Sequence, residues 1–172
     1  MALRKTLAFA STFLTALMFV VAPASAQGAK RVNSFGDWSL YTHDSGQTKT
    51  CFVSSQPKSS APSGARRDSV FFYVTAWPQD GVKGEVSVKL GYPIKPGSDV
   101  TVQIGSSSFR LFAQEERAFV EDPTDELKLI DAIKRGSSMV VTAVSQRDTQ
   151  TQDTYSLSGT TNALNALDTT CR

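Results

Sequence analysis

The sequence predicts a mainly β chain: an antiparallel β-sandwich or partly closed barrel of about eight or nine strands with two short helices. Three observations point there. Over residues 82–90, Val82, Val86, Val88 and Leu90 occupy one phase while Lys83, Glu85, Ser87 and Lys89 occupy the other, the alternation of a strand with one dry and one wet face. After a turn-rich link at 91–98 the pattern resumes, with Val100, Val102 and Ile104 set against Asp99, Thr101 and Gln103, and it continues across Gly105 into 107–112. Such runs joined by short turns predict an antiparallel meander rather than βαβ units. Only two segments, near 122–135 and 160–168, carry helical spacing.

Residues 1–26 read as an export signal that is removed. Arg4 and Lys5 precede an apolar run at 7–21, and Ala24-Ser25-Ala26 supplies the small residues of a cleavage site. The run is short for a membrane span, and no second apolar run of that length follows, so no integral membrane segment is expected after cleavage. Residues 27–172 are then expected to form a single β-rich domain. Losing the signal removes two cations and no anions, leaving the 16 Asp and Glu matched by as many Lys and Arg. A chain so balanced lacks the concentrated basic surface that nucleic acid demands.

Taken in order, residues 27–33 read as a loose leader. A Gly36-Asp37 turn leads into a first strand at Trp38 and Leu40, and 43–46 is a polar turn. A short strand surrounds Cys51 at 50–54. Residues 54–68, rich in Ser with Pro57, Pro62 and Gly64, read as a mobile surface loop bearing an exposed Arg66-Arg67 pair. Residues 70–77 are apolar on both phases, as in a central strand covered on both sides. Phe71, Tyr73 and Trp77 on one phase read as core, with a platform for sugar or peptide as the other reading. A short strand falls at 118–120. Asp122, Pro123, Asp125 and Glu126 then open a helix, Leu127, Ile130 and Ile133 with Leu129 give it an apolar side, and Gly136 closes it in the left-handed region. Strands at 139–144 and 154–158 follow, the latter with Tyr155 and Leu157. A final helix at 160–168 buries Ala163, Leu164 and Leu167.

Cys51 and Cys171 are the two cysteines, both beyond the signal. An even count in an oxidising compartment predicts a disulfide. A metal pair or a catalytic thiol are the competing readings, but one histidine makes a poor zinc site and no base is evident beside either thiol. That histidine, His43, stands beside Asp44 in a turn-like stretch, with no Gly-x-Ser-x-Gly elbow in the chain. Glu115-Glu116 and Glu121-Asp122 offer paired carboxylates, a pattern commoner in solvated loops and helix caps than in glycosidase sites. No phosphate-cradling glycine motif occurs. The residues therefore nominate no catalytic, cofactor or metal site.

Several stretches together resemble the invasion-associated locus B family of exported bacterial proteins: Phe35-Gly36-Asp37-Trp38 after the signal, Cys51, Gly91-Tyr92-Pro93, Asp153-Thr154-Tyr155-Ser156-Leu157-Ser158-Gly159, the Ala163-Leu164 helix, and Cys171. Many members carry more cysteines, so the chain resembles a two-cysteine branch. The resemblance implies a β-rich exported protein without known catalytic residues, in a family associated with bacterial entry into host cells. It makes Trp38, Tyr155 and Leu157 packing residues and Cys51 with Cys171 a staple. The expected function is thus a periplasmic or secreted, non-enzymatic interaction protein with a protein or cell-surface partner. An envelope housekeeping role and a small hydrolase built on His43 or the carboxylates are the alternatives.

Overall fold

The computed structural model describes residues 28–172. The export signal expected at residues 1–26 lies outside the described residues. Eleven strands form one antiparallel sheet: β1 (Lys30–Phe35), β2 (Trp38–Asp44), β3 (Lys49–Ser55), β4 (Ser59–Ala61), β5 (Phe71–Trp77), β6 (Val82–Lys89), β7 (Val100–Ile104), β8 (Ser107–Gln114), β9 (Arg117–Phe119), β10 (Ser138–Val144) and β11 (Gln150–Ser156). The two helices are α1 (Pro123–Arg135) and α2 (Thr160–Thr170). Strand order is β1-β2-β3-β5-β6-β9-β8-β7-β10-β11-β4, with β1 and β4 at the two edges, so the sheet does not close into a barrel.

The mainly β class with two helices holds. β1 and β4 are the strands the sequence did not announce. Residues 30–35 form a strand because the Gly36-Asp37 turn folds them back on β2, pairing Phe35 with Trp38 and Ser34 with Ser39. Their side chains are exposed except for half-buried Phe35, so no apolar alternation marks them. The meander expectation is also corrected. β7 and β8 form a hairpin, but β6 does not pair with either of them; β9 folds back beside β8 and lies between it and β6. Likewise His43 and Asp44 belong to β2, opposite Thr50 and Lys49, and the turn begins at Ser45.

Directly opposed residues of an antiparallel pair share a face. Leu40, Val53, Val74 and Val86 form one such row across β2, β3, β5 and β6, and all are buried. From the other half of the sheet Val102, Val141, Met139 and Tyr155 complete the core. Burying this aliphatic and aromatic surface, at roughly 25 cal/mol per Å² removed from water, is the main term stabilising the fold.

α1 starts as its sequence suggests: Asp122 accepts hydrogen bonds from the Thr124 and Asp125 amides at 2.7 and 3.1 Å, and Pro123 opens the first turn. Its apolar side is shifted from expectation. Leu129 and Ile133 are buried and Ile130 half-buried, whereas Leu127 is 66% exposed. A strict three-residue spacing drifts around a helix with 3.6 residues per turn, so the inward stripe runs through Glu126, Leu129, Ile130 and Ile133. Gly136 is extended (φ −78°, ψ 164°) rather than left-handed. A Cβ there would lie 2.7 Å from Ile104 Cγ2, so glycine serves close packing rather than a left-handed turn. α2 buries Ala163, Leu164 and Leu167 against the strands, and Cys171 just beyond it forms a disulfide with Cys51, the Cα atoms 6.0 Å apart.

Candidate functional site

Two of the short motifs meet each other. The Trp38 indole Nε1–H donates to the Ser156 carbonyl at 3.1 Å, and the Asp37 amide donates to the Ser158 carbonyl at 3.1 Å. Gly36 (φ +56°) and Gly159 (φ +87°) cross at backbone contact: a Cβ on Gly159 would lie 2.0 Å from the Phe35 carbonyl oxygen. The first turn of the sheet is therefore bolted to the end of β11. The ion pair between Lys58 and Asp37 holds the Asp37 carboxyl below its usual range, Ser156 adding to the effect.

A cleft of about 960 Å³ opens beside residues 62–68, lined among others by Arg66, Arg67, Tyr92, Glu116, Arg147 and Thr149. Beneath it Arg67 reaches Asp153 as a fork, Nη1 donating to Oδ2 at 2.9 Å and Nη2 donating to Oδ1. The Asp153 side chain is fully buried and that of Arg67 is 9% exposed. Ser60 of β4 adds a third bond to the same carboxylate at 2.6 Å. The Asp153 carboxylate pushes the Arg67 guanidinium further above its ordinary value. Tyr92 and Thr151 share a hydroxyl–hydroxyl bond on the same wall, and burial raises the Tyr92 phenol. Tyr155, two residues along β11 from Asp153, keeps a buried hydroxyl without a hydrogen-bond partner among the described residues. Desolvation pushes its phenol far up, so it is neutral throughout the ordinary pH range.

This corrects the reading of residues 54–68 as a surface loop throughout, bearing an exposed Arg66-Arg67 pair. Residues 59–61 pair with β11, and Arg67 turns inward while Arg66 remains exposed. A buried carboxylate needs a charged partner, and Asp153 finds it 86 residues away in sequence. Three acceptor contacts on one aspartate of β11, which read merely as a motif position, were invisible to local patterning.

The second feature is the outer face of the β2–β3–β5–β6–β9–β8 half of the sheet. Tyr41, Phe52, Phe71, Tyr73 and Phe119 lie half-buried on it and Phe112 is 43% exposed. Tyr41 and Phe52 stack at 5.1 Å, Phe52 meets Tyr73 edge-on at 5.8 Å, and Phe112 meets Phe119 at 5.7 Å. Arg117 sits over the Tyr73 ring at 5.6 Å. Phe71 and Tyr73 thus belong to a partly exposed aromatic layer, not to the core beneath it. Trp77 is half-buried at the end of β5. Ser87, expected on the wet face, is only 4% exposed because these rings cover it. Thr101 and Gln103 remain accessible on β7, half-buried and exposed respectively.

The remaining candidates are not drawn together. Among the described residues His43 makes no side-chain hydrogen bond or ion pair, and the Asp44 carboxylate accepts instead from the Gly46 amide at 2.8 Å. Glu115 and Glu116 form the β8–β9 turn, Glu121 is exposed, and Asp122 is committed to the α1 cap. The described residues include no helix long and apolar enough to cross a membrane and no cluster of His, Cys, Asp and Glu able to hold a metal ion.

No curated protein matches the chain. Among solved structures, the crystal structure of invasion associated protein B from Bartonella henselae is similar in fold, with a TM-score of 0.58 and 18% sequence identity, covering 84% of this chain and 98% of the other. The family model described as invasion associated locus B (IalB) protein matches residues 38–168, a span that runs from Trp38 through the cleft into α2; the chain belongs to the invasion associated locus B family.

Proposed function

We propose that this chain is an exported, non-enzymatic interaction protein that acts in the association of a bacterium with host cells or in their entry, and that it binds a protein partner through the aromatic face of its sheet. The family, the apolar run before Ala24-Ser25-Ala26 and a disulfide suited to an oxidising compartment support the setting. The aromatic face carries the binding reading. Six aromatic side chains lie on this face in two groups, Tyr41, Phe52, Phe71 and Tyr73 on one side of β6 and Phe112 with Phe119 on the other, and partly exposed rings of this kind mark interaction surfaces. The rings of Tyr41 and Phe52 stack on each other, which leaves less open ring face of the kind that sugars stack upon and suits a packed protein surface better. Arg117 and Lys89 stand on this face without ion-pair partners among the described residues, against one acid, Glu85. The complementary partner is a protein surface with an apolar centre and an acidic rim.

The test is cell association by the full-length protein and by variants. Phe112→Glu should lower association about tenfold or more while leaving the unfolding midpoint unchanged, because it places an anion on an exposed ring position where a partner with an acidic rim must dock. His43→Ala and the Glu115→Gln/Glu116→Gln pair should associate normally. A folded Phe112→Glu variant that binds as well as the parent would remove the aromatic face as the docking surface. Loss of function in folded His43→Ala would move the hydrolase reading ahead.

A further inference from the structure

We propose that the cleft over Arg67 is a binding site for the carboxylate of an acidic sugar, a uronic acid or a saccharide ending in one. Arg67 is the built part of this site. Of its five N–H donors, two are spent on Asp153 and three find no acceptor among the described residues, yet its side chain is nine-tenths buried and lines the cleft. Its Nε is not among the polar atoms buried without a partner, so that donor keeps contact with solvent. A guanidinium clamped through one edge is preorganised on the other and loses little freedom when it binds a planar carboxylate. Ser60 and Arg67 together fix Asp153, so the fork cannot rotate without breaking the buried pair.

The walls narrow the ligand class. Arg66 and Arg147 line the cleft without ion-pair partners among the described residues, and they supply the positive charge that Arg67, neutralised by Asp153, cannot. Asp68 and Glu116 line it too and offset those two charges, so the geometry of the fork rather than net charge would select a single carboxylate, and a polyanion is disfavoured. Its polar uncharged lining is Ser63, Ser145, Gln146, Thr149 and Thr151, and its apolar lining is Pro62, Ala65 and Pro93 beside the half-buried ring of Tyr92. Hydroxyl and amide groups beside a single aromatic ring match the hydroxyls and apolar ring face of a pyranose. The lining offers no large aliphatic pocket for the side chains of an acidic peptide. This reading is independent of the aromatic face, so either can fail alone.

The experiment is an amide NMR titration of the oxidised protein with glucuronate, with glucose and inorganic phosphate as matched probes. Glucuronate should give saturable shifts confined to residues around Arg67, Tyr92 and Thr149, with affinity on the order of millimolar for a single ring. Glucose should bind at least about tenfold more weakly, because it lacks the group the fork is built to receive. Arg66→Gln/Arg147→Gln, both at exposed positions, should weaken glucuronate about tenfold or more with an unchanged fold. Arg67→Lys keeps the charge and loses the fork, and in a folded variant it should abolish the preference for glucuronate over glucose. No saturable shifts with glucuronate, equal binding of glucose, binding by the double variant at parental strength, or phosphate matching glucuronate at the same residues would each overturn the assignment.

Discussion

Gly159 shows how much one residue can fix. It combines a left-handed backbone with a carbonyl oxygen where its Cβ would be, and either alone would favour glycine. The two contributions can be separated by experiment. Gly97 has a similar φ of +75° but nothing within 4 Å of a Cβ. Gly97→Ala should therefore cost about 1 kcal/mol, the left-handed penalty alone. Gly159→Ala should cost about 3 kcal/mol or more, because the bolt between residues 36 and 159 must open as well. Urea denaturation of the two variants checks this, and equal losses would mean that the close approach is not stabilising. Trp38 belongs to the same joint: fully buried, it satisfies its one polar atom on the Ser156 carbonyl, as a core indole must.

At the scale of elements, the joint between β6 and α1 shows why the helix begins where it does. β9 pairs with Ser87 to Lys89 and stops. The next amide along, Val86 N–H, donates 2.7 Å to the Glu126 carboxylate, so α1 supplies the acceptor that the short strand cannot. Burial holds the Glu126 carboxyl above its usual 4.5, the Val86 bond opposes this, and neighbouring Glu85 adds to the rise. A folded-state pKa above the unfolded one means a contribution to stability that is present below the unfolded value and lost as pH rises through the folded one. Glu126→Gln keeps the acceptor oxygen and removes the charge. It should match the parent near pH 4, where both side chains are neutral, and equal or exceed it at pH 7. Glu126→Ala should lose about 1–3 kcal/mol by orphaning the Val86 amide. Denaturant midpoints at the two pH values decide it; a Gln variant weaker than the parent at pH 7 would show that the charge itself stabilises this joint.

For the whole molecule, the disulfide joins β3 to the end of the chain across 120 residues. Closing so long a loop restricts the unfolded chain, and Cys171→Ser should lower stability by roughly 2–5 kcal/mol, read as a lower urea midpoint for the variant than for the oxidised parent. A parent whose midpoint does not move when it is reduced would contradict this. The fold class was legible because alternation in residues such as Val100, Val102 and Ile104 is a local signal, imposed by the pleat of a strand with one dry face. The α1 start was legible for the same reason, since Asp122 and Pro123 act on amides only two or three residues away. β1 and β4 were not, because their stability comes from hydrogen bonds to partner strands and their own side chains are largely exposed. The cleft was illegible for a stronger reason: Arg67 in a polar stretch reads as solvated until β11 brings Asp153 to it. By itself the sequence determined the class of fold and the start of α1. Only the tertiary structure decided which strands are neighbours, which arginine is buried and which aromatic rings face outward, because each depends on contacts between residues that are distant along the chain and adjacent only once it has folded.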